Sequence, residues 1–210
     1  PTATKIEVSM ALAAANFKRL EVGAFVSPKA IPQMADTINV HCALSGLDKI
    51  RLSTLVPNAI GAKNAIDAHI FDLVFVLSAS ESHNQSNVKR SVSDSFSELE
   101  KIVDMGRRID GFQLRFNIAT VFDCPFEGRI PEQVVLDIIG QAVDLDFPIE
   151  FGLCDTTGRA FPDHVKSFCA KVIDQYRSNI NIGWAFHGHD TYGLGIANAL
   201  YAYDAGVRVF

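Results

Sequence analysis

The stretch Ile180-Asn181-Ile182-Gly183-Trp184-Ala185-Phe186-His187-Gly188-His189-Asp190-Thr191-Tyr192-Gly193 joins an apolar run of strand length to a polar turn. A helical pattern opens just after it, near Leu194. Residues two apart on a strand point to one face, so His187 and His189 can aim both imidazoles at one point at the strand's C-terminal end. Two neutral imidazoles there can chelate a divalent cation if carboxylate or amide oxygens complete the shell. An isolated His-x-His pair is as readily two surface histidines in a βα loop. The rest of the chain tips that balance, because polar residues recur at the same end of almost every strand.

Working outward, strand and helix signals alternate. An alanine-rich helix over Ile6–Ala15, with Thr4 as its cap, leads to a strand over Phe17–Gly23 and a helix over Pro32–Leu44. Strands over Ile50–Val56 and Ile70–Leu77 flank a helix over Ala59–Ala68. Ser78–Asn87 reads as a polar loop and Val88–Arg108 as one long amphipathic helix. Strands over Leu114–Phe122, Ile149–Cys154 and Ile180–Phe186 alternate with helices over Pro131–Val143, Phe161–Tyr176 and Leu194–Ala205. Val207–Phe210 begins a seventh strand.

Such alternation with short connections predicts a parallel sheet, either doubly wound or closed as a (β/α)8 TIM barrel. No Gly-x-Gly-x-x-Gly follows any strand, which argues against the doubly wound dinucleotide folds. The candidate strand-end residues are Glu21, Thr54, Ser78–Glu81, Thr120 with Asp123, Asp155, and His187 with His189. Chemistry spread over many strand ends is the habit of the barrel. A barrel of this kind takes about 250 residues, so a single truncated barrel domain over 1–210 is expected, lacking its first strand and part of its last unit.

Composition narrows the class. A net charge of −5 and a pI near 5.6 argue against a nucleic-acid partner. No apolar run approaches the ~20 residues that span a bilayer, so no membrane role is expected. Cys42, Cys124, Cys154 and Cys169 lack metal or disulfide spacing and read as buried thiols in a reducing compartment.

Individual residues keep two readings at this stage. Glu21 can orient a ligand, take a proton, or pair with a nearby base. Asp155, before Thr156-Thr157-Gly158, can cap the next helix or hold a water or a metal ligand, and Asp123 shares that ambiguity while leaning to a loop role. Asp190 can accept a liganding imidazole's free N–H or cap the helix at Leu194, and Tyr192 adds a hydroxyl. His83 reads as a solvated loop residue; His41, His69 and His164 take no role. A metal at such a site would stabilise an oxyanion beside a carbonyl, as carbon–carbon cleavage next to a thioester or ketone requires.

The chain resembles the 3-hydroxy-3-methylglutaryl-CoA lyase family of metal-dependent barrels. The likeness rests on Glu21-Val22-Gly23-Ala24-Phe25-Val26-Ser27-Pro28-Lys29 with Ile31-Pro32-Gln33-Met34, and on Ser80-Glu81-Ser82-His83-Asn84 with Asn87-Val88. Cys124-Pro125-Phe126-Glu127-Gly128, Asp155-Thr156-Thr157-Gly158 and His187-Gly188-His189-Asp190-Thr191-Tyr192-Gly193 complete it. It implies a retro-Claisen cleavage of 3-hydroxy-3-methylglutaryl-CoA to acetyl-CoA and acetoacetate, as in leucine catabolism and ketone-body formation. It further implies that His187 and His189 ligate Mg²⁺ or Mn²⁺, and that Glu21, Asp155 and His187 are catalytic. Thr156 and Lys29 would contact the acyl-CoA, and Asp190 and Tyr192 would stand behind the ligands. Because CoA is anionic, Lys29, Arg51, Lys89 and Arg90 are candidates for phosphate contact, although a solvated helix face explains most of them equally well.

A homo-oligomer in the cytoplasm, or in the mitochondrial matrix of a eukaryote, is expected. Phe126 departs from the family's tyrosine. The family's strand-one Arg-Asp-Gly segment, its cysteine loop after strand eight and its metal-binding asparagine are absent, so the polypeptide is expected to be inactive alone. The alternatives are a related Claisen-type synthase or 2-oxo acid aldolase, and a non-catalytic barrel that binds metal or acyl-CoA.

Overall fold

A computed structural model describes residues 1–47 and 49–210. Contacts divide them into two compact units, Pro1–Phe75 with Lys101–Leu114 and Val76–Glu100 with Arg115–Phe210.

The first unit opens with α1 (Thr2–Ala14), β1 (Arg19–Ala24), a 3-10 turn (Pro32–Met34) and α2 (Thr37–Leu44). It continues through β2 (Arg51–Val56), α3 (Ala59–Asp67) and the first residues of β3 (Asp72–Ser78). β1 runs parallel to β2, with Glu21 opposite Ser53, and β2 runs parallel to β3, with Thr54 opposite Leu73. Pro1 is the N-cap of α1, so Thr4 lies inside the helix and does not cap it. The helical signal over Pro32–Leu44 resolves into two pieces separated at Ala35 and Asp36. The Asp36 carboxylate is drawn to Thr2 at 2.7 Å and Lys5 at 2.5 Å, and makes no capping bond to α2. Asn58 does cap: its side-chain oxygen accepts from Gly61 N at 2.8 Å and starts α3.

The second unit takes the end of β3, α4 (Glu81–Val88), the start of α5 (Val92–Gly106) and β4 (Gln113–Ala119). A short hairpin of β5 (Asp123–Cys124) and β6 (Gly128–Arg129) precedes α6 (Glu132–Val143). β7 (Ile149–Asp155), α7 (Pro162–Gln175), β8 (Ile182–Gly188) and α8 (Gly195–Asp204) follow. β4, β7 and β8 are parallel neighbours, pairing Asn117 with Gly152, Gly152 with Ala185, and Cys154 with His187. Phe122 anchors the helix side, edge-on to Phe168 at 6.0 Å and to Phe186 at 6.4 Å.

The expected loop over Ser78–Asn87 is in large part the helix α4. Ser80 caps it by accepting from His83 N at 3.1 Å. Asn84, wholly buried, takes Ser78 N at 3.0 Å and donates to Arg90 O, Ser91 O and Ser95 Oγ. This helix is held by polar bonds and carries no apolar stripe, so periodicity cannot reveal it. Lys89, left-handed at φ 58, ends α4, and the expected long helix therefore starts only at Val92. The seventh strand is confined to one parallel bridge, Val209 to Ala185. Cys42 is exposed, contrary to expectation, whereas Cys124, Cys154 and Cys169 are buried.

Candidate active site

Everything at the C-terminal ends of β3, β4, β7 and β8 belongs to the second unit. β8 carries His187 as its penultimate residue, and His189 lies one past the strand's end. Their Nε2 atoms stand 3.2 Å apart, with the rings inclined at 59°. Two bare nitrogen lone pairs at that separation repel unless a proton or a cation lies between them. Metal–nitrogen bonds of about 2.1 Å meeting at a right angle place two nitrogens about 3.0 Å apart, so the pair fits one edge of an ion's shell. Among the described residues no group of three or more His, Cys, Asp or Glu could hold an ion, so the pair supplies two ligands and no more. Partial burial, the His189 ring and the Arg115 guanidinium all push the His187 pKa down, keeping its imidazole neutral and its lone pair available.

Asp155 is fully buried at the end of β7. It pairs with Gly188, while its neighbour Cys154 pairs with His187, so Asp155 and His187 project to opposite faces of the sheet. Its carboxylate takes Ala160 N at 3.2 and 3.3 Å and the Asn198 amide of α8 at 3.4 Å. Burial raises its pKa, and the backbone N–H bonds and the nearby His189 work against that rise. The Asp155 carbonyl accepts from His189 N at 3.3 Å and from Gly158 N at 3.3 Å. One residue thus clamps its own loop and the histidine loop. Gly158 makes the clamp possible, since it adopts φ +70 and a Cβ there would meet His189 O at 2.9 Å.

Asp190 Oδ1 accepts Gly195 N at 2.7 Å, which ties it to the start of α8. Tyr192 is exposed, and its hydroxyl lies 3.4 Å from Arg159 Nε, while Arg159 Nη1 reaches Asp123 Oδ1 at 3.2 Å. Thr156 Oγ1 accepts Thr120 N at 2.7 Å, a bond that goes with the left-handed backbone of Thr120 at φ 58. Glu21 and Lys29 belong to the first unit. Glu21 lies on β1, lining a 590 Å³ groove with Val8, Leu12, Val22 and Met34, and Lys29 is exposed in the loop after β1. Arg51, a phosphate candidate, forms an ion pair with Asp72.

Asn198 has no place in the sequence reading, and Ser78 and His83, a strand-end candidate and an expected loop histidine, turn out to be paired. Asn198 joins Asp155 Oδ2 to Ala160 O at 3.0 Å, and it sits with Gly195 and Ala202 on the buried face of α8. That lone amide among small residues at helical spacing was its available signal. Ser78 and His83 form a second polar pair, Oγ to Nδ1 at 2.7 Å, a pairing hidden from the sequence because α4 lacks periodicity.

The HMGL-like family model matches residues 1–210. The chain is 33% identical to a (R)-citramalyl-CoA lyase of Chloroflexus aurantiacus over 99% of its length and 67% of that protein's. It is 32% identical to a hydroxymethylglutaryl-CoA lyase of Bacillus subtilis, covering all of this chain and 68% of that one. An HMG-CoA lyase from Acinetobacter baumannii, solved with coenzyme A and 3-methylmalate, superposes with a TM-score of 0.89 at 36% identity, over 100% of this chain and 67% of that one. The chain therefore spans about two thirds of each, and the alternating parallel sheet is an incomplete (β/α)8 barrel. This chain belongs to the HMGL-like family, a family of carbon–carbon lyases.

Proposed function

We propose that the chain is the larger part of a divalent-metal-assisted lyase that cleaves 3-hydroxy-3-methylglutaryl-CoA to acetyl-CoA and acetoacetate. The observation that carries this reading is the pair of imidazole nitrogens 3.2 Å apart at the end of β8. His187 and His189 would hold Mg²⁺ or Mn²⁺. A bound ion supplies Lewis-acid stabilisation of substrate oxygens, worth several kcal/mol. The tertiary hydroxyl gives up its proton and the adjacent C–C bond breaks. The electron pair passes to the acetyl-CoA enolate, which is then protonated at carbon. Neutral His187 suits a place beside that proton traffic, and Asp155 fixes the histidine loop through its carbonyl, while its buried carboxylate holds Ala160 N and Asn198. Glu21, Thr156 and Lys29 enter through the sequence likeness alone.

The test is an assay of the full-length protein with this substrate and Mg²⁺ or Mn²⁺, reading acetoacetate and acetyl-CoA, with and without a chelator. A second reading takes (R)-citramalyl-CoA as substrate and yields pyruvate in place of acetoacetate. The 33% identical relative and Phe126 favour including it in the same assay. Absence of both products overturns the lyase reading.

A further inference from the structure

Ser78 and His83 stand outside the constellation described so far, yet strand register places them level with it. Ala79 N donates to Ala119 O at 2.9 Å, the parallel register that sets Ser78 beside Ala119. Asn117 pairs with Gly152, so the residues two further on, Ala119 and Cys154, share the next row, and Cys154 pairs with His187. Ser78, Ala119, Cys154 and His187 therefore form one row across four neighbouring strands, all facing the same side. Three strand spacings separate the ends of that row, at most about 14 Å. Small side chains, Ala119 and Cys154, occupy its middle. The row thus carries an imidazole at each end, His83 on the Ser78 hydroxyl and His187 on β8.

We propose that His83 is a substrate-contacting residue, held by Ser78 so that its Nε2–H donates to an oxygen of the bound acyl group; this rests on the lyase reading above. The Ser78 hydroxyl is buried and 2.7 Å from His83 Nδ1. No other described acceptor takes that hydroxyl, so it donates to Nδ1, and the ring's own proton resides on Nε2. Nε2 has no protein partner among the described residues. The ring is otherwise steadied by Phe126 at 6.3 Å and by its position in the first turn of α4, capped by Ser80. Burial lowers the His83 pKa, so this donor is a neutral imidazole at physiological pH.

The test separates the two ring nitrogens in the full-length protein. His83→Asn keeps a polar atom near the Nδ1 position and loses the Nε2 donor, whereas His83→Gln restores an N–H near Nε2. The expected result is a 10- to 100-fold fall in kcat/KM on 3-hydroxy-3-methylglutaryl-CoA for His83→Asn, with His83→Gln within about fivefold of the parent and both melting within a few degrees of it. Equal losses in the two variants, tracking a fall in melting temperature, would mean a structural role and overturn the proposal. So would His83→Asn at full activity. His187→Ala is assayed beside them. If it too retains activity, the site reading itself has failed; if it alone is inactive, only the inference about His83 has.

Discussion

The two ends of the sheet in the second unit are both polar, but they are built differently. At the N-terminal end Arg115 of β4 lies opposite Glu150 of β7, and guanidinium meets carboxylate at 2.7 Å with only 21% and 15% of the side chains exposed. At the C-terminal end the polar groups are hydroxyls, amides and imidazoles on five chain segments, and only Asp155 brings a buried carboxylate. The first arrangement consumes both of its charges. The second leaves capacity over: Asn198 Oδ1 is buried without a partner, and the two histidine nitrogens face each other at a separation that a ring proton or a cation can fill. Closed pairing serves stability and open valence serves chemistry, the usual division between the two faces of a barrel.

The sharpest way to break that comparison is His187→Ala. Activity of the full-length protein on its acyl-CoA substrate should fall by about 10³-fold or more, while melting temperature changes little, since much of the residue is exposed. Loss of stability in proportion to activity would show that the rim is also structural. Asn198→Ala comes next. It removes the amide spanning Asp155 and Ala160, at a cost of about 1–3 kcal/mol for unsatisfied buried groups. About a tenfold loss of kcat should accompany it, because the loop bearing His189 hangs on Asp155. Urea melts and steady-state kinetics on one preparation separate the two effects.

How much of this the chain announces in advance depends on the kind of force involved. His187 and His189 were legible because a two-residue spacing on a strand has one geometric meaning. The strands themselves were legible as apolar runs such as Ile70–Leu77, displaced by up to three residues at their ends. The helix α4 was not, since it is held by Ser80 and Asn84 acting over specific distances, which composition does not encode. Asp155 shows a subtler limit. Its two readings, helix-side anchor or site carboxylate, turn on whether it projects with His187 or against it. Only the pairing of Cys154 with His187 decides which way the side chain points.

The N-terminal end yields a prediction of opposite character. Glu150→Gln leaves Arg115 without its counter-charge in a shielded position, and stability should drop by about 1–3 kcal/mol, less than for a fully buried pair. The kcat should stay within about threefold of the parent. A large kcat loss without destabilisation would place Arg115 among the working groups, a possibility raised by its field at His187.

The smallest effect belongs to an ion pair at neither end. Glu132, at the start of α6, meets Lys171 and, at 3.2 Å, His164 Nε2, both from α7. The Lys171 ammonium is the main reason its carboxyl is held below the ordinary range, with His164 adding to it. A carboxyl whose folded pKa is depressed contributes stability above its unfolded pKa, about 4.3, and loses it as pH falls through the folded value. The pair is partly exposed, so its whole contribution is about 1 kcal/mol or less. Urea midpoints of the parent and of Glu132→Gln should therefore differ slightly at pH 7, draw together as pH drops below about 4.3 and coincide once the folded carboxyl is protonated. Kinetic constants should not separate the two proteins at any pH where both are folded. A difference that did not shrink at all in acid would mean the glutamate acts through packing, and the contrast between charge-paired and open sites would lose its control.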